Sequence, residues 1–149
     1  MQRILVAVDG SEQAGRAVDM AADLALRYRV PLSVLHVRTR LGTGQIPAGL
    51  AGYERLEHMY LTEEGLLEGA ATRIAESAAE RARRVGVQTV ETIVETGDPA
   101  STIVRTAEAS GADLIVLGSR GLGELGGLLL GSVSHKVGHL AHCPVLTVR

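Results

Sequence analysis

The feature that most constrains this chain is an alternation of short β-rich apolar runs with longer segments of helical periodicity. Ile4–Val8, Leu32–Val37, Thr89–Glu95, Ala112–Gly118 and Pro144–Val148 read as strands. Such runs, apolar on both faces and separated by helices, suit a parallel sheet covered by helices on each side. Between the first two strands, Ala14, Ala17, Val18, Ala21, Leu24, Ala25 and Tyr28 recur at intervals of three and four, which makes one helical stripe. Ser11 stands where a cap for that helix is needed, and the helix is expected to end near Val30-Pro31. A long helix follows from about Glu63 to Val85, with Leu67, Ala71, Ile74, Ala78, Ala82 and Val85 as its expected buried face and Arg73, Glu76, Glu80 and Arg84 in water. Asp98-Pro99 opens a third helix, Asp as cap and Pro in the first turn, with Ile103, Val104 and Ala107 facing inward. Ser132 to about Leu140 is the fourth. Leu41–Gly52 is rich in glycine and without periodicity, so it is read as a loop or flap.

The 149 residues fit one domain, 1–149, with no internal repeat and no boundary. Hydrophobic residues make up 46%, yet Phe and Trp are absent and there are three Tyr, so the core must be packed from Ala, Val, Leu and Ile. A formal charge of −2, from 15 basic and 17 acidic residues spread along the chain, offers no basic face for DNA. The scarcity of aromatics leaves no stacking platform for RNA. Nucleic acid is therefore not an expected partner. The single cysteine, Cys143, excludes an intramolecular disulfide framework. The run Ile4–Val8 is too short for a secretory h-region and ends at Asp9, and no stretch reaches the length of a membrane span. A cytoplasmic location without membrane attachment is the expectation.

The chemistry concentrates in Gly118–Ser132. Six glycines stand in the fourteen residues from Gly118 to Gly131, between a strand end and a helix start. Glycine lets backbone approach a ligand without Cβ interference, and the helix start adds N–H donors and a positive dipole end. Ser132 adds a hydroxyl, and phosphate is the natural guest. Two familiar motifs fail here. Gly121-Leu-Gly123-Glu-Leu-Gly126 spells the dinucleotide fingerprint, but no Asp or Glu follows Glu124 to bind a ribose and no second βαβ half remains. The P-loop reading fails for want of the lysine that grips the phosphates.

A third pattern is met: Gly118 and Gly121 separated by two residues, then nine residues, then Gly131-Ser132. This resembles the ATP-binding motif of the universal stress protein family. The likeness extends over Ile4-Leu-Val-Ala-Val-Asp-Gly-Ser11, Leu35-His-Val37, Thr96-Gly-Asp-Pro99, Ala112–Gly118 and Cys143-Pro-Val-Leu-Thr-Val-Arg149. The resemblance implies an α/β fold of the adenine nucleotide alpha hydrolase type, an open five-stranded parallel sheet in the order 3-2-1-4-5 with helices on both faces. It implies ATP with Mg²⁺ as ligand. Ala7 and Val37 would help enclose adenine, Asp9 would contact the nucleoside, Gly118, Gly121, Gly131, Ser132 and Val133 would hold ribose and phosphates, and Leu117 would also belong to the nucleotide site. Asp9 at a strand's carboxyl end could equally help hold Mg²⁺ or serve only as a cap for the first helix. Arg120 is the obvious loop cation, with a solvated arginine as the alternative. Glu124 departs from the small or basic residues common at that position in relatives.

Catalysis has little support. There is no Gly-x-Ser-x-Gly elbow, and Asp9-Gly-Ser-Glu12 offers no basic group to stabilise a departing pyrophosphate. His135, His139 and His142, spaced by four and three beside Cys143, imitate a metal site; without a later carboxylate as second support they are read as ordinary helix residues. His36, inside a strand, is read as a satisfied buried histidine. The expectation is a nucleotide-dependent signalling or regulatory module with slow ATP hydrolysis at most, acting on a protein partner. The alternative is a dimeric interaction module that does not use nucleotide. The family resemblance also implies a homodimer paired through the edge strand Val145–Val148.

Overall fold

The computed structural model describes residues 1–39, 63–121 and 131–149. The expected flap at Leu41–Gly52 lies outside the described residues, as does residue 124 with most of the glycine loop. Nine elements alternate: β1 (Ile4–Val8), α1 (Glu12–Tyr28), β2 (Leu32–Arg38), α2 (Glu63–Val85), β3 (Val90–Thr96), α3 (Pro99–Ser110), β4 (Leu114–Gly118), α4 (Ser132–Leu140) and β5 (Val145–Val148). The strands form one parallel sheet in the order β3-β2-β1-β4-β5, as expected.

Side chains alternate across a strand, so each strand feeds both faces. On one face Ile4, Val6, Val8, Val34 and Val116 pack with alanines of α1 (Ala14, Ala17, Ala21 and Ala25) and with Ala79 and Ala82 of α2. On the other, Leu5, Ala7, Leu35, Ile115 and Leu117 pack with Ile103 and Ala107 of α3 and Val137 of α4. Every residue of β1 is buried, as the central position of the strand demands. Each fully buried Leu or Ile there contributes roughly 1.5–3 kcal/mol.

The local devices read from sequence are in place. Ser11 Oγ accepts the Ala14 N–H at 3.1 Å and caps α1. Asp98 caps α3 by accepting the Ser101 N–H at 3.1 Å, with Pro99 in the first turn. α1 ends two residues before Val30, at a left-handed Arg29 with φ 55°. At the sheet's amino end Arg3 donates to the buried Ser33 hydroxyl at 3.0 Å and to Glu91 at 2.7 Å, tying the start of β1 to β2 and β3.

The helix faces differ from expectation in detail. In α2 the fully buried line is Ala71, Ala75, Ala79 and Ala82, whereas Ile74 and Ala78 are half-buried and Val85 is 50% exposed. Ala79 and Ala82 share one buried cluster with the alanines of α1, and a tightly packed interior suits small side chains there. Arg81 of α2 donates from Nε and Nη2, one edge of its guanidinium, to the two carboxylate oxygens of Asp19 of α1. Tyr28, in the last turn of α1, is 57% exposed and leaves the expected stripe. The strands β3, β4 and β5 begin one or two residues later than the apolar runs suggested.

Candidate functional site

β1 hands the chain to α1 on one face of the sheet, while its neighbour β4 leads on to α4 on the other. Divergent connections from adjacent strands open a crevice at their carboxyl ends, the ordinary ligand position in open α/β sheets. The residues singled out from sequence gather there. Ala7 sits between Leu35 and Leu117 in the strand register. Ala7, Leu117, Val37 and Val133 all belong to the apolar cluster on the α3/α4 face, the first two buried and the last two partly so.

Asp9, half-buried, follows the last residue of β1. Its Oδ1 accepts the Ser11 N–H at 2.9 Å, so the carboxylate steadies the start of α1 while Ser11 supplies the helix cap. Its other oxygen, Oδ2, lies toward Gly121. A Cβ placed on Gly121 would stand 2.7 Å from Asp9 Oδ2, so the second glycine of the motif can lie against Asp9 only by lacking a side chain. The first glycine is constrained differently. A Cβ on Gly118 would meet Gln13 Cβ at 3.0 Å and two backbone atoms, Gln13 C and Arg120 O, at 3.1 Å. Gly118 therefore admits the first turn of α1 against the end of β4. Arg120 is exposed beside them.

The far end of the motif returns to the same point. The Gly131 N–H donates to the Ser119 carbonyl at 2.6 Å, and the buried Ser134 hydroxyl lies 3.0 Å from that carbonyl and 2.9 Å from the Gly131 carbonyl. Ser119 N–H in turn donates to the Val148 carbonyl at 2.7 Å. Ser119 thus clasps the start of α4 and the end of β5 to the end of β4. Gly131 is the N-cap of α4 and brings no capping side chain. Ser132, exposed, opens that helix.

Ser119 and Ser134 were not anticipated from sequence. Ser119 occupies a spacer position of the motif and Ser134 lies two residues past its end, and only the folded return of α4 onto β4 gives them a role. Among the described residues the Ser119 hydroxyl is buried with no hydrogen-bond partner, an uncommon state for a polar atom.

The comparisons with known proteins agree with this architecture. The family model described as the universal stress protein family matches residues 1–149. The chain belongs to the universal stress protein family. It is 41% identical over 148 residues to universal stress protein YxiE of Bacillus subtilis, covering 99% of this chain and 98% of that one. Among solved structures, the universal stress protein of Archaeoglobus fulgidus in complex with dAMP is similar at TM-score 0.69 and 26% identity, covering 100% of this chain and 98% of the other. A universal stress protein in complex with cAMP is similar at TM-score 0.68 and 28% identity, covering 99% and 96%.

The histidines of this universal stress protein do not form the three-membered face that their spacing suggested. His142 lies beyond the end of α4, with its Nε2 3.4 Å from the Glu108 carboxylate of α3. His135 and His139 remain together on the exposed side of α4. His36 is half-buried, and its Nδ1 lies 2.8 Å from the Val8 carbonyl, so it spans β1 and β2 as a satisfied structural residue. Cys143 is half-buried, and burial pushes its thiol above the usual range. Among the described residues no helix is long and apolar enough to cross a membrane.

Proposed function

We propose that this chain binds an adenine nucleotide, ATP with Mg²⁺, in the crevice between β1 and β4, and works as a nucleotide-dependent regulatory module in the cytoplasm. The observation that carries the reading is the close approach of Asp9 and Gly121, which brings a carboxylate and a side-chain-free loop to one point at the carboxyl ends of two neighbouring strands. The residues fit such a ligand. Ala7, Leu117 and Val37 offer apolar surface to a purine, and Asp9 is an acceptor for ribose hydroxyls. Gly118, Gly121 and Gly131 with Ser132 and Val133 offer the backbone and hydroxyl donors that phosphate needs. Arg120 supplies positive charge, and the buried Ser119 hydroxyl keeps an unused hydrogen-bonding capacity beside them. The complexes of family members with dAMP and cAMP support an adenine ligand.

Mg²⁺ would be shared between the phosphates and Asp9. Asp9 is already engaged with the Ser11 amide, which leaves it poorly disposed to activate water, and hydrolysis is expected to be slow at most. The nucleotide state would be read by a protein partner. A second reading, compatible with the first, is homodimerisation through β5. This strand is a sheet edge whose four residues are all half-buried, with its outer backbone groups open to pairing.

Thermal unfolding of nucleotide-stripped protein tests the proposal. A ligand at a hundred times its dissociation constant adds about 2.7 kcal/mol, or roughly 5–10 °C for a chain of this size. A shift of that order with Mg-ATP and much less with GTP supports the site. No shift with millimolar adenine nucleotide would refute it and favour the dimeric interaction module.

A further inference from the structure

We propose that His135 and His139 form an exposed two-histidine chelate for a borderline divalent transition metal of the copper, nickel or zinc class. The two residues are four apart on α4, so they stand one above the other on the same helix face, and both are exposed. Their rings already lie together, with centroids 4.6 Å apart and planes at 78°. That separation lies within the range a shared metal allows once the two rings turn to direct one nitrogen each at it. With metal–nitrogen bonds of about 2.0–2.1 Å each ring centre lies about 3.2 Å from the metal, and bond angles of about 90–110° then put the centres about 4.5–5.2 Å apart. The helix needs no rearrangement to bind.

The surroundings leave the pair available. His142 is occupied with Glu108, and Lys136 is near enough to Asp98 at the start of α3 to lower the carboxyl's pKa, although hydrogen bonds from Ser101 contribute more. Lys136 stands three residues before His139, a neighbouring position on the helix surface, so its positive charge works against a cation there and Lys136→Gln should tighten Cu²⁺ binding. Among the described residues no third His, Cys, Asp or Glu completes a closed cluster, so the remaining coordination positions would be taken by water or an exogenous ligand. Imidazole selects copper, nickel and zinc over the hard oxygen-seeking Mg²⁺ and Ca²⁺, with Cu²⁺ held most tightly. This site is separate from the proposed Mg-ATP crevice, and its test does not depend on nucleotide.

The test is titration of the full chain, free of nucleotide, with Cu²⁺, Zn²⁺ and Mg²⁺ by calorimetry, with electron paramagnetic resonance of the Cu²⁺ form. One Cu²⁺ bound through two imidazole nitrogens is expected, followed by weaker Zn²⁺ and no measurable Mg²⁺ at this site. Linking two ligands raises affinity through effective concentration, so His135→Gln and His139→Gln should each weaken Cu²⁺ by on the order of 10²-fold. His142→Gln should leave it unchanged. Metal-free unfolding curves of the variants confirm that their fold is retained. Unaltered Cu²⁺ affinity in both His135→Gln and His139→Gln, or a loss confined to His142→Gln, would overturn the proposal.

Discussion

The two glycines that open the motif are adjacent in the fold yet should fail differently when a methyl is added. In Gly118→Ala the new Cβ meets Gln13 Cβ at 3.0 Å and two backbone atoms at 3.1 Å, one in α1 and one in the loop. Backbone cannot step aside as a side chain does, so α1 must move off β4. Overpacking of this kind costs about 1–3 kcal/mol. At roughly 2–4 °C per kcal/mol for a chain near 150 residues, the midpoint should fall by about 2–12 °C. In Gly121→Ala the obstacle is the end of one side chain, Asp9 Oδ2 at 2.7 Å. Turning Asp9 away forfeits the Ser11 N–H bond, worth about 1 kcal/mol, and removes the carboxylate from the crevice. Gly121→Ala should therefore lose about 1 kcal/mol, a drop of roughly 2–4 °C in thermal unfolding followed by circular dichroism, while losing most adenine nucleotide affinity. Gly118→Ala should show the larger stability loss. The reasoning fails if Gly118→Ala is as stable as wild type, or if Gly121→Ala is the more destabilised of the two.

Other outcomes follow from the same structure. Ser11→Ala removes the α1 cap and should cost about 1 kcal/mol, a drop of roughly 2–4 °C in the midpoint by calorimetry. Asp98 is held below its ordinary pKa by hydrogen bonds from Ser101, and Asp19 chiefly by its hydrogen bond with Arg81. Because folding depresses these pKa values, their stabilisation is present above the unfolded value near 3.8 and is lost as pH falls through the lower folded values, so acid titration of the unfolding midpoint should show a decline below about pH 4 that is smaller in Asp98→Asn. Cys143, with its thiol raised by burial, should react with iodoacetamide more slowly in the native protein than in urea at pH 8, as read by mass spectrometry; equal rates would contradict its placement.

Much of the fold was legible because its local signals agree with its packing. Short apolar runs bounded by Gly and Pro, a serine before an apolar stripe, and Asp98-Pro99 before another each named an element that the chain forms. Where sequence reading chose among hydrophobic positions it favoured size. It placed Val85 in the core of α2 and passed over Ala75 and Ala79, which are fully buried. Hydrophobicity alone ranks valine above alanine, whereas packing between helices, a tertiary property, reverses the choice. The site shows the same division. The glycine spacing was readable, and so was Asp9 at a strand end, but the clash each glycine avoids depends on which element crosses it. Ser119 and Ser134 acquire their part only when α4 returns to β4, fifteen residues apart in sequence. The histidine spacing of four and three suggested one face, but α4 ends at Leu140 and turns His142 toward Glu108.

The central claim is that the crevice between β1 and β4 receives an adenine nucleotide, and amide-resolved NMR during titration with Mg-ATP tests it most directly. The expected result is saturable shifts at Gly118, Ser119, Gly121, Gly131 and Ser132, with Asp9 and Val37 following, and little change in α2 or at the sheet's amino end around Arg3 and Asp113. Shifts confined to surfaces away from these residues, or none at millimolar Mg-ATP, would contradict it.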